Sequence, residues 1–347
     1  MREAEPHILL EKRGALGLVT LNRPKALNAL THGMCIGLAK ALDEWAADNT
    51  IQAVAIRGAG PRAFCAGGDI RSLWESSRDK TASGLNFLRD EYRLNAAIAA
   101  FPKPYIALWH GIVMGGGAGV SVHGHYRLAD SSLIFAMPET GIGFVTDVGA
   151  SFFLSRLAGE AGLYLALTGA RIGRDDAMAL GLATHAVDAA DHDALIEKLA
   201  NGTMANDAIA PFVCKPAASS LKNEIARIDR AFAAHSVEAV LERLERDGSD
   251  FAVVAAQILR TRSPSACKFT FRALREAKAL SLHDCLKMEY RIAARAVPAP
   301  DFREGVRAAI IDKDGKPVWR PAALAGVSDA DIAGYFASLG ARDLSFP

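Results

Sequence analysis

The apolar positions of the chain begin in strand-like runs and end in helical spacing. HILLEK (7–12) and LGLVTLN (16–22), joined at Gly14, predict two strands. Thr31 is a capping residue, and the pattern from there to about Asp48 predicts an amphipathic helix with Leu38, Ala41, Leu42 and Trp45 on one face. AVAIRG (53–58) predicts a buried strand, followed by a loop ending in AFCAGGDI (63–70). A second helix is predicted over 85–100, with Leu88, Tyr92 and Asn95/Ala96 at helical spacing. It stops before PKP (102–104), because proline disfavours helix at its own position and at the one before it.

The cycle then recurs. YIALWHG (105–111) predicts a strand, GGGAG (115–119) opens a helix, and RLADSSLIFAMPE (127–139) predicts two short strands around a Ser-Ser turn. The two glycine-rich loops, at Gly68 and Gly116, lie 48 residues apart and each follows a strand. This is a structural repeat of strand, strand and helix, not a sequence repeat. Beyond about residue 145 the pattern is almost entirely helical. A polar, broken stretch at 201–220 marks the best boundary. Helices are predicted after it over 236–247, 249–261, 265–278 and 281–296, the last capped by Ser281 and stopped by PAP (298–300). A final helix follows Ser328.

Composition narrows the class. The 347 residues are 50% hydrophobic and 23% charged, an ordinary globular profile that excludes collagen-like, low-complexity and disordered chains. That length fits two domains, or one large domain with an appendage, and buries a substantial core without staples. The 40 Lys+Arg offset 39 Asp+Glu for a net charge of +1, and the basic residues are scattered, so no nucleic-acid partner is expected. Five cysteines, an odd number without a CxxC pair, argue against a disulfide framework or a zinc ribbon and fit buried thiols in a reducing compartment. The opening MREAEPHILLEKRG has no apolar signal region. Residues 104–126 lack Asp, Glu, Lys and Arg, but they carry His110, His123, His125 and six glycines, which fits strand, turn and short helix better than a membrane span. A soluble, cytoplasmic protein without a membrane partner is expected.

Candidate chemistry starts at the glycines. Amides freed at a tight turn or a helix start can hold an anion or a developing oxyanion, so AGGD (66–69) and GGG (115–117) read as two donors facing one site, or as glycines that merely permit close packing. Other glycine motifs fail. A dinucleotide fingerprint from Gly115 needs glycine where Val120 stands, and the only GK, Gly315-Lys316, runs into Pro317. The stretch Gly119 to Gly124 around Ser121 is one residue too long for a nucleophile elbow. The His123-Gly124-His125 pair lacks a completing cysteine or carboxylate cluster, so hydrogen-bonded histidines near a helix end are expected and no metal.

MPETGIGFVTDVG (137–149) holds two carboxylates in an apolar, glycine-rich segment. Glu139 and Asp147 can divide acid and base roles if both face a pocket. The plainer alternatives are a solvated loop carboxylate at Glu139 and a helix N-cap at Asp147 ahead of VGASFFLSRL.

Together NRPKALNAL (22–30), AFCAGGDI (63–70) and GGGAG (115–119) resemble the crotonase (enoyl-CoA hydratase/isomerase) superfamily. The resemblance implies an α/β fold, a crotonase-like spiral of ββα repeats with an α-helical C-terminal region. It implies an oxyanion hole at Gly68 and Gly116, and CoA contacts near Lys25, Ala26, Ala66 and Ile70 with Arg71 at a basic position. DEYRLN (90–95), MPETGIG (137–143), DVG (147–149), MEYRIAARA (288–296) and DFREGVRAAIIDKDGKPVWRP (301–321) resemble a hydrolase branch of that superfamily nearly end to end. For that branch Glu139 and Asp147 are the catalytic carboxylates, and Glu91 and Gly116 contact substrate. The substrate implied is a short, branched 3-hydroxyacyl-CoA thioester, in valine degradation, with CoA as part of the substrate and no other cofactor. Residues 1–205 form the CoA-thioester-binding core and 206–347 the helical region that completes the hydrolase. Two departures matter. Thr146 stands where this branch carries proline, and is expected to act as a capping side chain. Gly119 stands where hydratases carry a second glutamate, which removes one partner for adding water across a double bond. An enoyl-CoA isomerase or hydratase and a non-catalytic acyl-CoA-binding protein are the alternatives, and a homo-oligomer is possible.

Overall fold

The computed structural model describes residues 6–346; the acid-bearing start of the chain, residues 1–5, lies outside the described residues. Strands β1 (Ile8–Arg13) and β2 (Leu16–Leu21) form an antiparallel hairpin about Gly14, whose φ of +57° suits glycine. Helix α1 (His32–Ala47) starts where Thr31 accepts the Met34 N–H, and it buries Leu38, Ala41, Leu42 and Trp45. The chain continues through β3 (Ala53–Gly58), β4 (Ala63–Cys65), α2 (Ile70–Arg78), α3 (Ser83–Ala99), β5 (Tyr105–Trp109), β6 (Ile112–Met114), α4 (Gly116–Val122), β7 (Tyr126–Ala129) and β8 (Ile134–Ala136). The predicted strand–strand–helix cycle is thus present.

With β9 (His185–Ala186), a six-stranded sheet has the order β1-β2-β3-β5-β7-β9, parallel from β2 onward, and β4-β6-β8 make a second sheet. Alternate strand residues Leu16, Leu18, Ala53, Ala55, Ile106 and Leu108 bury one face of the large sheet against Leu195, Ile196, Leu199 and Ile209. The segment read as a loop before Gly67 contains β4, a three-residue strand that exists because β6 pairs with it. The segment beyond 145, read as almost entirely helical, contains the two-residue strand β9 (His185–Ala186) at the edge of the large sheet. Strands this short carry no periodicity of their own.

The remaining helices are α5 (Ala150–Leu154), α6 (Ala161–Thr168), α7 (Arg174–Ala179), α8 (His192–Ala200), α9 (Ala205–Ile209), α10 (Ile225–Phe232), α11 (Val237–Asp247), α12 (Asp250–Thr261), α13 (Pro264–Ala277), α14 (Leu282–Ala296), α15 (Pro300–Val306) and α16 (Asp329–Phe336). Ser236, Ser249, Ser263, Ser281 and Ser328 cap five of them with side-chain oxygens. Helix α2 lies where the pattern predicts none, whereas α6 to α10 and α15 fall in the stretch beyond 145 that reads as helical without individual bounds. Among the described residues no helix is long and apolar enough to cross a membrane.

Two compact units emerge. One comprises residues up to Gly68, Arg93–Phe135 and Ile172–Ser219; the other comprises Asp69–Tyr92, Ala136–Arg171 and the chain from Ser220 onward. The last crossing, at Ser219/Ser220, falls inside the polar 201–220 stretch.

Candidate active site

In the first unit the two glycine loops lie side by side. Gly67 (φ +122°) and Gly115 (φ +47°) hold conformations that side chains with a Cβ rarely adopt. A Cβ on Gly67 would stand 3.8 Å from the Gly116 nitrogen, and one on Gly117 would be driven to 2.3 Å from the Cys65 carbonyl oxygen. Glycine is therefore what lets α4 start directly on β4. Gly116 is the first residue of α4, where the amide N–H has no acceptor within the helix.

The NRPKALNAL segment is tied to the same loops. Leu30 N–H donates to the Gly67 carbonyl at 2.8 Å, and Ala66 N–H donates to the Leu27 carbonyl at 3.0 Å. Buried Asn28 (φ +57°) donates to the Ala59 and Ala63 carbonyls at 2.9 and 2.8 Å and accepts the Arg23 N–H at 2.9 Å. Lys25 and Ala26 sit exposed on the short 3₁₀ turn between these anchors. Asn28 is a structural anchor that residue-by-residue reading of the motif did not single out.

The histidines are explained locally. His125 Nδ1 accepts the Tyr105 N–H at 3.2 Å, and His110 Nε2 lies 2.8 Å from the Gly60 carbonyl. Ser121 is a buried helix residue whose hydroxyl donates to the Gly117 carbonyl at 2.7 Å. Among the described residues no group of three or more His, Cys, Asp or Glu is placed to hold a metal ion.

The second unit gathers the carboxylates. Ile70 and Arg71 open α2 behind Asp69, which caps it by accepting the Ser72 N–H at 3.3 Å; the Arg71 side chain is exposed. Glu91 projects from α3 and is buried, with Oε1 lacking any hydrogen-bond partner. Glu139 begins a 3₁₀ turn (Glu139–Ile142) that ends at Gly143, φ +69°; a Cβ there would fall 2.5 Å from the Asp301 carbonyl. Contrary to the solvated-loop alternative, Glu139 is only 5% exposed and its Oε2 has no partner. The C-terminal block explains this burial. Phe302 packs on Phe144 at 5.4 Å, Ser263 N–H donates to the Thr140 carbonyl at 3.1 Å, and Asp301 accepts the Ser263 hydroxyl and the Arg320 N–H at 2.6 and 2.7 Å.

Asp147 is not a helix cap. The helix α5 starts three residues later behind Gly149, and the Asp147 carboxylate instead accepts the Tyr92 hydroxyl at 2.5 Å. Thr146 does not cap either. It is fully buried, and its hydroxyl points at the Ala166 carbonyl at 3.5 Å. Both expectations failed because the chain turns through Val148 and Gly149 at positive φ before becoming helical.

Burial and mutual repulsion dominate the electrostatics. Desolvation, followed by the neighbouring Asp147 charge, holds Glu91 and Glu139 well above the usual carboxylate range. Desolvation pushes Asp147 up to about 7, with the Tyr92 hydrogen bond pulling the other way. Glu289 on α14 is pushed up to about 8 by burial, against the hydrogen bonds it receives from Ser151 and Gly149. Such a group of buried carboxylates cannot all ionise at neutral pH, so it retains protons that can be transferred. In the sequence Tyr92 reads as a position on a helix face and Glu289 as part of MEYRIAARA, neither with a chemical role.

Residues 16–336 match the family model for enoyl-CoA hydratase/isomerase. The chain is 44% identical to a mitochondrial 3-hydroxyisobutyryl-CoA hydrolase of Danio rerio, covering 99% of this chain and 92% of that one. It is also 44% identical to the enzyme of that name from Rattus norvegicus, over 98% and 91% of the two chains. A solved carnitinyl-CoA dehydratase from Mycobacterium thermoresistibile superposes with a TM-score of 0.94 at 40% identity, covering 98% of each chain.

Proposed function

The chain belongs to the enoyl-CoA hydratase/isomerase family, and from that premise we propose that it hydrolyses 3-hydroxyisobutyryl-CoA to the free hydroxy acid and CoA, a step of valine degradation. The observation that carries this reading is the near full-length similarity to enzymes named for that reaction. Buried Glu139 and Asp147 support it. So does Gly119, which leaves no second glutamate for hydration or dehydration despite the dehydratase name of the solved relative.

In the proposed mechanism the Gly68 and Gly116 N–H groups polarise the thioester carbonyl and stabilise the tetrahedral oxyanion. Loss of one such donor costs about 10²–10³ in rate. Glu139 takes a proton from water as the oxygen attacks the carbonyl carbon. Collapse breaks the C–S bond, and Asp147 passes a proton to the leaving thiolate. Glu91, with its free Oε1, meets the 3-hydroxyl and separates hydroxyacyl from plain acyl chains. Lys25, Ala26, Ala66, Ile70 and Arg71 contact the CoA moiety. Residues 1–205 serve as the thioester-binding core and 206–347 complete the hydrolase, a role supported by Asp301 and Glu289. The steps use amides and carboxylates alone, so chelator-treated enzyme is expected to keep its turnover.

The deciding experiment is thiol release from 3-hydroxyisobutyryl-, 3-hydroxypropionyl- and crotonyl-CoA. Preferred release from the first supports the reading. Loss of crotonyl absorbance without thiol indicates a hydratase or isomerase, and binding without turnover indicates a non-catalytic acyl-CoA-binding protein. Incorporation of water-derived ¹⁸O into Glu139 in a single turnover would replace the general-base step by a mixed anhydride. A cytoplasmic location and a homo-oligomeric state complete the proposal. The names of the vertebrate relatives say mitochondrial, so cell fractionation tests the former and light scattering the latter.

A further inference from the structure

Glu289 lies in the middle of α14 and is fully buried, yet its carboxylate is saturated with donors. Oε2 accepts the Gly149 N–H at 2.7 Å. Oε1 accepts the Ser151 N–H at 2.8 Å and the Ser151 hydroxyl at 2.5 Å. These amides open α5, whose N-cap, Gly149, has no side chain to cap it. The cap therefore comes from a residue 138 to 140 positions away in the sequence.

The turn it caps is strained. Asp147 is followed by Val148 at φ +57° and Gly149 at φ +81°. Glycine takes the left-handed region without penalty, but a β-branched residue does so only where its surroundings over-determine it. The Ala150 N–H to Asp147 carbonyl bond, 2.9 Å, closes the turn on one side. Glu289 pins the two amides that flank Ala150. From the other direction Tyr92 holds the Asp147 carboxylate, and its ring meets Tyr290, the neighbour of Glu289, edge-on at 6.2 Å.

We propose that Glu289 is a positioning residue: by clamping Gly149 and Ser151 it holds Val148 in the left-handed turn that aims the Asp147 carboxylate. It acts on the reaction only through Asp147. The kinetic consequence rests on the hydrolase reading above; the clamp itself does not.

The test compares the full-length wild type with Glu289→Gln and Ser151→Ala. Gln keeps the shape but sets an NH₂ group against one of the backbone donors. Amide hydrogen exchange at Gly149 and Ser151 is expected to quicken by more than tenfold in Glu289→Gln. With 3-hydroxyisobutyryl-CoA, kcat is expected to fall about 10- to 100-fold with KM within about twofold, the signature of a displaced reacting group rather than lost binding. Ser151→Ala removes one of three bonds and should lower kcat by roughly 3- to 10-fold, again at constant KM; it carries the test if Glu289→Gln does not fold. Unchanged exchange at both amides overturns the proposal. So does unchanged kcat in a variant whose melting temperature alone has dropped, or a KM that rises as far as kcat falls. If the wild type releases no thiol, the hydrolase reading fails, and hydrogen exchange still decides whether Glu289 holds the turn.

Discussion

The Tyr92 hydroxyl donates to Asp147 Oδ2 at 2.5 Å, and both side chains are buried. A single hydrogen bond thus joins the helix that carries Glu91 to the strained loop that carries Asp147. Because it is aimed at the charged form, it opposes the desolvation that pushes Asp147 up to about 7. Tyr92→Phe removes the donor and keeps the ring. A bond to a charged group contributes about 1.5–3 kcal/mol, and Asp147 must hold its proton to pass it on, so the alkaline limb of the kcat profile is expected to move up by about 1–2 pH units. Rate measurements across pH 5–9 check this, and an unmoved limb would mean that the observed limb does not report Asp147.

Glu139→Gln preserves shape and removes the proposed base. Thiol release is expected to fall by about 10²–10⁴, the range for loss of a general base, with the fold and CoA affinity retained. Circular dichroism, calorimetric CoA titration and a thiol assay separate the three. Substantial turnover in this variant sinks the assignment of Glu139.

The buried carboxylates give stability an unusual pH dependence. Asp147, pushed up to about 7, and Glu289, pushed up to about 8, keep protons in the folded state that the unfolded chain has released at ordinary carboxylate values. The folded state then binds more protons than the unfolded one, so stability falls as pH rises through those values. Buried His192, pushed down to about 4, has the opposite sign between about 4 and its ordinary 6.5. The clean window is therefore about pH 6.5–8, where each participating carboxyl contributes a slope of up to about 1.4 kcal/mol per pH unit. Urea midpoints should decline across it, and Asp147→Asn should flatten the decline. A midpoint that climbs from pH 6.5 to 8 contradicts the burial argument.

Gly117→Ala tests the contact between the glycine loops. Its Cβ would meet the Cys65 carbonyl oxygen at 2.3 Å and the Cys65 Cβ at 2.8 Å, atoms that cannot swing aside. Overpacking of this kind costs about 1–3 kcal/mol. Lifting α4 off β4 also moves the Gly116 amide, the proposed oxyanion donor, and a misplacement near 1 Å in catalytic geometry costs about 100-fold in rate. Denaturation and kcat measured on the same preparation should both fall. A variant of wild-type stability and rate would show that the loops have slack.

Much of the fold was legible because its signals are local. Thr31, Ser249, Ser281 and Ser328 start helices by capping the amide three residues ahead, so the sequence alone places those helix starts. The runs at 7–12, 16–22 and 53–58 became β1, β2 and β3 because they are long enough to show a pattern. Strands β4 and β9 had no such length; pairing with β6 and β7 made them strands. The reading of Asp147 and Thr146 as caps failed for a related reason. It assumed that a helix begins where polar side chains precede an apolar run, whereas here Glu289 supplies the cap from α14.

The sequence by itself determined the ββα order, the two glycine loops and the family, and it marked Glu139 and Asp147 as candidates. Each of these is written in residue types at fixed separations along the chain. Tertiary structure alone decided that Glu139 and Asp147 are buried, that Tyr92 holds Asp147, and that Glu289 clamps the turn behind it. A carboxylate's proton affinity depends on the water it loses and on the donors and charges that pack beside it. Those neighbours come from residues 92, 139, 147, 151 and 289, and only folding makes them adjacent.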